Sequence, residues 1–287
     1  MKKIFLLLIL SFSSFELQAE PLQCGLPGET FKVCSVCANE TSQEMMTFLR
    51  PLLVSKTHLE AHKLWHKIRA QSTLSDHVFE TLKNKSYVAE DTSIKDFIQK
   101  HLLHGTLSGE DFFYMHRKML KMVQNEMAHA GLPCMSPWLT LPNQINDPHW
   151  PVLKVFIKDS AEEKKAIKTL SKLITLEAKL KNKAYLKKIS LNRLGEIVEP
   201  GFHQELHNFY RGNPANSKEA KSQGYQDDLL PVDSSPLNKY FWKLHGLVDE
   251  LIGYWLEANN FDEISESCED RPRCYQWQGT WIGKLHH

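Results

Sequence analysis

Apolar residues recur at helical spacing along most of the chain. Positions i, i+3, i+4 and i+7 of an α-helix share one face, so this period predicts amphipathic helices. Ser42 is a candidate N-cap, and Gly105 and Gly131 are candidate C-terminal stops. Strand-like alternation is confined to about the last twenty residues. Helices are expected over residues 42–55, 57–83 with a break near 71–76, 92–105, 109–131, 160–188, 201–210 and 238–259.

The composition is that of a globular protein with a real core. Apolar residues make up 42% of the 287 residues, and 35 basic residues nearly cancel 34 acidic ones. This balance argues against a nucleic-acid partner and against an anionic membrane surface. The lysine-rich stretch 160–188 is interpreted as a solvated helix face. We therefore predict an all-α domain with long loops.

The N-terminal segment has the pattern of a secretory signal peptide. Lys2 and Lys3 precede a short apolar run, and Ala19 ends a small-residue cleavage motif. We expect a signal peptide at 1–19, one domain over 20–287 with its core at about 57–257, and a disulfide-containing tail at 258–287. No later stretch is apolar enough to cross a bilayer. The expectation is an exported protein, periplasmic or secreted from a bacterial envelope, without membrane contact after cleavage.

Six cysteines follow the predicted cleavage site. An even count in an exported chain favours disulfides. Cys268 and Cys274 are expected to close the short loop between them, whereas the full pairing cannot be deduced from the sequence. Cys34 and Cys37 have the spacing of half a zinc site or a redox pair, but no second such pair follows, so a structural staple is the preferred interpretation.

Histidines carry the candidate chemistry. In the stretch EPGFHQELHNFYRG, His203 and His207 lie four residues apart and share a helix face. His245 lies in an otherwise aromatic and aliphatic helix with Asp249 one turn later, and His116 occupies a similar helix upstream. A buried imidazole needs a hydrogen-bond partner or a metal ion. Neutral imidazole suits copper, zinc and iron alike.

These segments resemble the type 3 copper family of tyrosinases, catechol oxidases and hemocyanins. The order His203, His207, His245, Asp249 matches the family's second-copper motif, and ELHNFYRG and SPLNKYFWKLHGLVDELIGYW resemble its flanking segments. FFYMHR, with His116, resembles the helix that carries the last ligand of the first copper. The resemblance covers about residues 100–257. It implies two copper ions, each held by three histidines, in an antiparallel four-helix bundle.

The resemblance leaves the first copper less defined than the second. His104 precedes His116 by twelve residues and is taken as one ligand, and His77 is taken as another because its distance from His104 is family-like. The predicted metal ligands are therefore His77, His104, His116, His203, His207 and His245. The other candidates for the first ligand remain open, and these are His62, His66 and His101.

The resemblance also suggests roles for two carboxylates. Asp249 is a candidate for orienting a metal-bound imidazole, with an ion pair to Lys243 or Lys239 as the alternative. Glu199, or Glu196, is a candidate general base toward a phenol, with simple solvent exposure as the alternative. A structural salt bridge is expected for the arginine beside His116, residue 117.

The resulting hypothesis is an exported dicopper oxidase that converts phenols or o-diphenols to o-quinones with O2. Its partners would be a small phenolic substrate and O2. Gln204 stands where many members active on monophenols have asparagine, so hydroxylation of monophenols is less expected. The alternatives are a non-catalytic copper or dioxygen-binding protein, and a degenerate family member with one copper or none. A zinc hydrolase is disfavoured, because the glutamate that usually follows the first histidine is absent.

Overall fold

The chain is mostly helical, as the hydrophobic period predicts. A computed structural model describes residues 37–38, 43–53, 56–71, 73–84, 88–102, 104–135, 137–147, 157, 159–210 and 235–278. Within these residues, the first helices are α1 (Gln43–Leu53), α2 (Lys56–Arg69), α3 (Asp76–Asn84), α4 (Ile94–His101), α5 (Ser108–His129), α6 (Ser160–Leu180), α7 (Lys183–Leu186) and α8 (Leu191–Ile197). A π-helix (Val198–His203), α9 (Gln204–Phe209), a 3₁₀ turn (Ser235–Leu237) and α10 (Lys239–Ala258) follow.

Side-chain caps set several helix starts. The side chains of Ser93, Asp159, Ser190 and Asn238 accept hydrogen bonds from backbone N–H groups in the first turns of α4, α6, α8 and α10. Gly131, at a φ of +68°, follows the end of α5, as the glycine signal predicts. The expected stop of α4 at Gly105 is too late. The helix ends at His101 because Leu102 is already extended, at φ −69° and ψ 159°.

The segment before His203 departs from an ordinary α-helix. Residues Val198–His203 form a π-helix, which passes directly into α9. Pro200 lies inside the π-helix and has no N–H to donate, so a regular α-helical ladder cannot pass through it. A π-helical turn of this kind is rare and occurs frequently at functional sites.

Helices α5 and α8 cross in direct backbone contact. A Cβ built on Gly195 would lie 1.9 Å from the backbone oxygen of Gly109, and a Cβ on Gly109 would lie 2.0 Å from the backbone oxygen of Asn192. The Asn192 side chain also accepts hydrogen bonds from the backbone N–H groups of Gly109 and Glu110. The crossing fixes the start of the helix that carries His116.

Gly195→Ala is expected to lower the free energy of unfolding by about 3 kcal/mol, because its methyl group would overlap the backbone of Gly109. Urea denaturation monitored by circular dichroism measures this change. Gly201→Ala is the matched control, since a Cβ there meets nothing within 4 Å. Equal stability of the two variants would contradict the close crossing.

The C-terminal tail packs on α5. Strands β3 (Glu263–Ser265) and β4 (Cys274–Gln276) pair in parallel, and the predicted Cys268–Cys274 disulfide is confirmed. The Tyr275 hydroxyl donates to a Glu110 carboxylate oxygen at 3.1 Å, which ties the tail to α5. A second parallel pair joins β1 (Cys37–Ala38) to β2 (Cys134–Met135).

Parts of the sequence-based expectation lie outside the described residues. These include the signal peptide at 1–19, the candidate N-cap Ser42, and the cysteines Cys24 and Cys34.

Within the described part of the chain, no helix has the length and hydropathy needed to span a membrane. The lysines Lys164, Lys168 and Lys172 on α6 are exposed, in agreement with a solvated face.

Candidate metal centre

Six histidines from four helical segments meet in the core between α2, α5, the π-helix with α9, and α10. Five of them are buried and His66 is partly buried. The sequence places each pair on one face of its segment, because four residues span about one helical turn. The six residues are His62 and His66 on α2, His116 on α5, His203 at the end of the π-helix, His207 on α9 and His245 on α10.

The histidines form two adjoining clusters. In the first, one ring nitrogen from each of His62, His66 and His116 lies within 4.8 Å of the others, and the Nε2 atoms of His62 and His66 are 3.1 Å apart. The second cluster consists of His116, His203 and His245 by the same distance. His207 packs against this second cluster, with its ring centroid 4.5 Å from that of His203 and 5.1 Å from that of His245. Both groups of three could hold a metal ion.

Backbone carbonyls fix which nitrogen carries hydrogen in two of the rings. Nδ1 of His116 lies 2.8 Å from the Phe112 carbonyl oxygen, and Nδ1 of His245 lies 2.7 Å from the Phe241 carbonyl oxygen. A carbonyl can only accept a hydrogen bond, so Nδ1 must be the donor and Nε2 must present its lone pair. The backbone carbonyl of Glu199 lies beside the His203 ring and raises the pKa of that ring, against the larger effects of burial and of the neighbouring histidines.

Ring nitrogens of the second cluster converge on a position where a cation could bind. The Nε2 atoms of His203 and His245 face each other at 3.1 Å. Burial lowers the pKa of both rings well below the usual imidazole value, and the neighbouring histidines lower it further, so both rings are neutral at pH 7. The Nε2 atom of His245 can only accept, so it either receives a hydrogen bond from His203 or binds a cation. The Nε2 atom of His116 is also buried without a hydrogen-bond partner among the described residues, which fits a metal ligand.

Aromatic rings enclose the histidines on both sides. Phe112 lies against His116 and His203, with ring centroids 4.5 Å and 5.0 Å away. Phe241 lies against His245, at 3.8 Å between centroids. Both phenylalanines are fully buried. They keep water from the rings and hold the imidazoles in place by packing.

Asp249 forms a buried ion pair with the neighbouring helix. The Arg117 Nε and Nη2 atoms donate to the two carboxylate oxygens of Asp249 at 2.8 Å and 2.9 Å. The expected structural salt bridge of Arg117 is thereby confirmed. The ion pair of Asp249 braces α10 against α5. The Nδ1–H of His245 donates to the Phe241 carbonyl, and a role of Asp249 in orienting a metal-bound imidazole stays a prediction.

Glu199 also lies in an ion pair, on the opposite side of the centre. Arg69 donates from Nε and Nη2 to its two carboxylate oxygens, at 3.2 Å and 2.5 Å. Burial raises the pKa of the Glu199 carboxyl, and the positive charge of Arg69 opposes that shift. The alternative candidate base, Glu196, accepts hydrogen bonds from Asn192 and Arg193 at 2.7 Å each. Both carboxylates thus lie in ion pairs, and the role of either as a general base stays a prediction.

The structure does not bring His77 and His104 into either cluster. His77 is exposed on α3, and His104 is exposed in the turn after α4 with a φ of +71°. His101, one of the alternatives, lies beside Asp111, with 3.2 Å between Nδ1 and a carboxylate oxygen. His62 and His66 occupy the positions that the sequence reasoning gave to His77 and His104.

A usable signal for the first cluster was present in the sequence. His62 and His66 have the same four-residue spacing as His203 and His207, and α2 places both toward His116. Arg69, one turn after His66, carries no motif that would have marked it. The described residues thus hold two adjoining histidine clusters, each able to bind a metal ion.

No protein-family model matches this sequence, and comparison with curated proteins finds no match either.

Proposed function

We propose that the six histidines bind a pair of copper ions and that the protein oxidises phenols or o-diphenols to o-quinones with O2. The observation that carries this proposal is the convergence of neutral, carbonyl-oriented imidazoles. His203 and His245 direct their Nε2 atoms at each other over 3.1 Å, beside a second cluster with the same spacing between His62 and His66. The resemblance of the flanking segments to type 3 copper proteins supports the same conclusion.

The proposed ligands are one triad for each ion. His62, His66 and His116 would hold the first copper, and His203, His207 and His245 would hold the second. His116 has a ring nitrogen within 4.8 Å of ring nitrogens in both clusters, so the two proposed metal positions are neighbours. Imidazole-only ligation without a carboxylate suits copper, zinc or iron. The pairing of two such triads is what favours copper over a single zinc ion.

A bound copper pair would supply the activation of O2 and the acceptance of electrons from the substrate. In the overall reaction, two o-diphenol molecules each lose two electrons and two protons, and one O2 becomes two water molecules. The residues of the chain orient the ligands and keep the centre dry. The carbonyls of Phe112 and Phe241 fix the tautomers of His116 and His245, and the rings of these two phenylalanines exclude water.

Oxygen uptake during oxidation of a simple catechol tests the proposed activity. The mature protein, reconstituted with copper and freed of loose metal, should consume O2 and form quinone in a two-to-one ratio of catechol to O2. His245→Ala should abolish this activity, because it removes a buried ligand. Copper-loaded protein that binds two ions yet leaves catechol unchanged would rule out the oxidase.

The burial of the centre favours one other function, reversible dioxygen binding by the same copper pair. His116 is 1% exposed, and His245 and Phe241 are 0% exposed. Such enclosure admits O2 more readily than a phenol ring. In that case the loaded protein would take up and release O2 with changes in its absorption spectrum, while catechol would not be consumed.

A further inference from the structure

Arg69 connects the segments that carry histidines of both clusters. It lies at the end of α2, one turn after His66, and is 2% exposed. Besides Glu199, its guanidinium donates to the backbone carbonyls of His101 at 3.0 Å and Ser108 at 2.8 Å. Ser108 begins α5, the helix of His116. A single buried side chain thus ties α2 to the end of α4, the start of α5 and the π-helix.

Arg69 is linked to His203 indirectly, through Glu199 and the backbone that joins Glu199 to His203. Glu199 stands four residues before His203 in the same π-helix, and its backbone carbonyl accepts a hydrogen bond from the backbone N–H of Gln204, the residue after His203. The position of Glu199 therefore fixes the backbone of the turn that ends at His203, and with it the direction of the His203 ring. Pro200 prevents an ordinary helical ladder in this segment, so the conformation needs support from outside it. Arg69 supplies that support through the Glu199 carboxylate.

We propose that Arg69 is a positioning residue that orients the ring of His203 through Glu199 and so aligns the second metal position with the first. The proposal rests on the proposed metal-binding function for its role in the reaction, but the orientation of the ring is a property of the metal-free chain as well. In this arrangement Glu199 acts as the ion-pair partner of Arg69.

Only arginine satisfies this geometry. The planar guanidinium reaches both oxygens of Glu199 and two backbone carbonyls at once, with Asp111 at 3.7 Å from Nη1. Lysine carries the same charge but cannot make a bidentate contact with a carboxylate. Arg69→Lys should therefore preserve the buried charge while it releases the π-helix, and Glu199→Gln should have the same effect to a smaller extent.

The first readout is the tautomer of His203 in the metal-free protein, measured by long-range ¹H–¹⁵N NMR of the imidazole rings. Wild type should show one tautomer, and Arg69→Lys should show a mixture. The matched control is Arg193→Lys, which alters an exposed pair with Glu196 on the neighbouring α8. A single, unchanged His203 tautomer in Arg69→Lys would overturn the proposal. If that variant does not fold, Glu199→Gln takes its place in the same comparison.

The second readout is the electron paramagnetic resonance of copper-loaded protein. Two coupled Cu(II) ions give no signal, whereas uncoupled ions do. Arg69→Lys should convert silent copper into visible copper and weaken binding at the second position by roughly 10–100-fold, the usual effect of losing a residue that orients a ligand. Fully silent copper in the variant would contradict the proposal. Wild type that binds no copper would refute the proposed function, while the NMR comparison would still decide the role of Arg69.

Discussion

His66→Ala is expected to remove one of two bound copper ions and leave the other in place. His66 shares the first cluster with His62 and His116, and its Nε2 lies 3.1 Å from that of His62. Removing one of three imidazoles should weaken binding at that position by more than the roughly 100-fold that marks the loss of an orienting residue. Metal analysis after dialysis against a weak chelator gives the number of ions retained per chain.

The matched controls for His66→Ala are the histidines that sequence reasoning assigned to the first copper. His104→Asn suits the positive φ at this position, because asparagine tolerates the left-handed region. His77→Ala changes an exposed residue of α3. Both variants should keep two ions per chain. Loss of an ion from His104→Asn or His77→Ala, together with full metal content in His66→Ala, would return the first site to the ligands predicted from the sequence.

Asp249→Ala is expected to lower the free energy of unfolding by about 3–5 kcal/mol, because it leaves Arg117 charged and buried without its carboxylate. Each side chain of the pair is 2% exposed, so water cannot replace the lost partner. Chemical denaturation of the metal-free protein measures the change without a contribution from bound ions.

Two further variants separate the ion pair from the packing around it. Glu257→Ala removes an exposed carboxylate on the same helix, paired with Lys183, and should change stability by less than about 0.5 kcal/mol. Arg117→Met combined with Asp249→Leu removes both charges and should recover most of the loss. A small effect of Asp249→Ala alone would mean that the pair is solvated and does not brace α5 against α10.

The helices and the His203/His207 pair were predictable from the sequence because both depend on local spacing. The apolar period fixes which face of each helix is buried, and four-residue spacing places His203 and His207 together. The π-helix was not predictable. The segment contains Pro200, and its Glu199 is held by Arg69, which is 130 residues away along the chain. Hydrophobic periodicity carries no information about such a contact.

The ligands of the first cluster depend on how α2, α4 and α5 pack. His104 has a plausible distance from His116 along the chain, but α4 ends at His101 and the following turn directs His104 to solvent. Helix α2 instead carries Trp65, which stands between His62 and His66 in the sequence and is fully buried. The helix face that carries Trp65 packs toward His116. The buried face of α2 identifies the candidate ligands of the first cluster, whereas the distance from His116 along the chain does not.

The number of copper ions per chain tests the central claim most directly. The mature protein should be reconstituted with copper, freed of loosely bound metal and analysed for copper and protein in the same sample. Two copper ions per chain, reduced to one by His66→Ala, is the predicted result. No retained copper would contradict the account and leave the six histidines as part of a structural core.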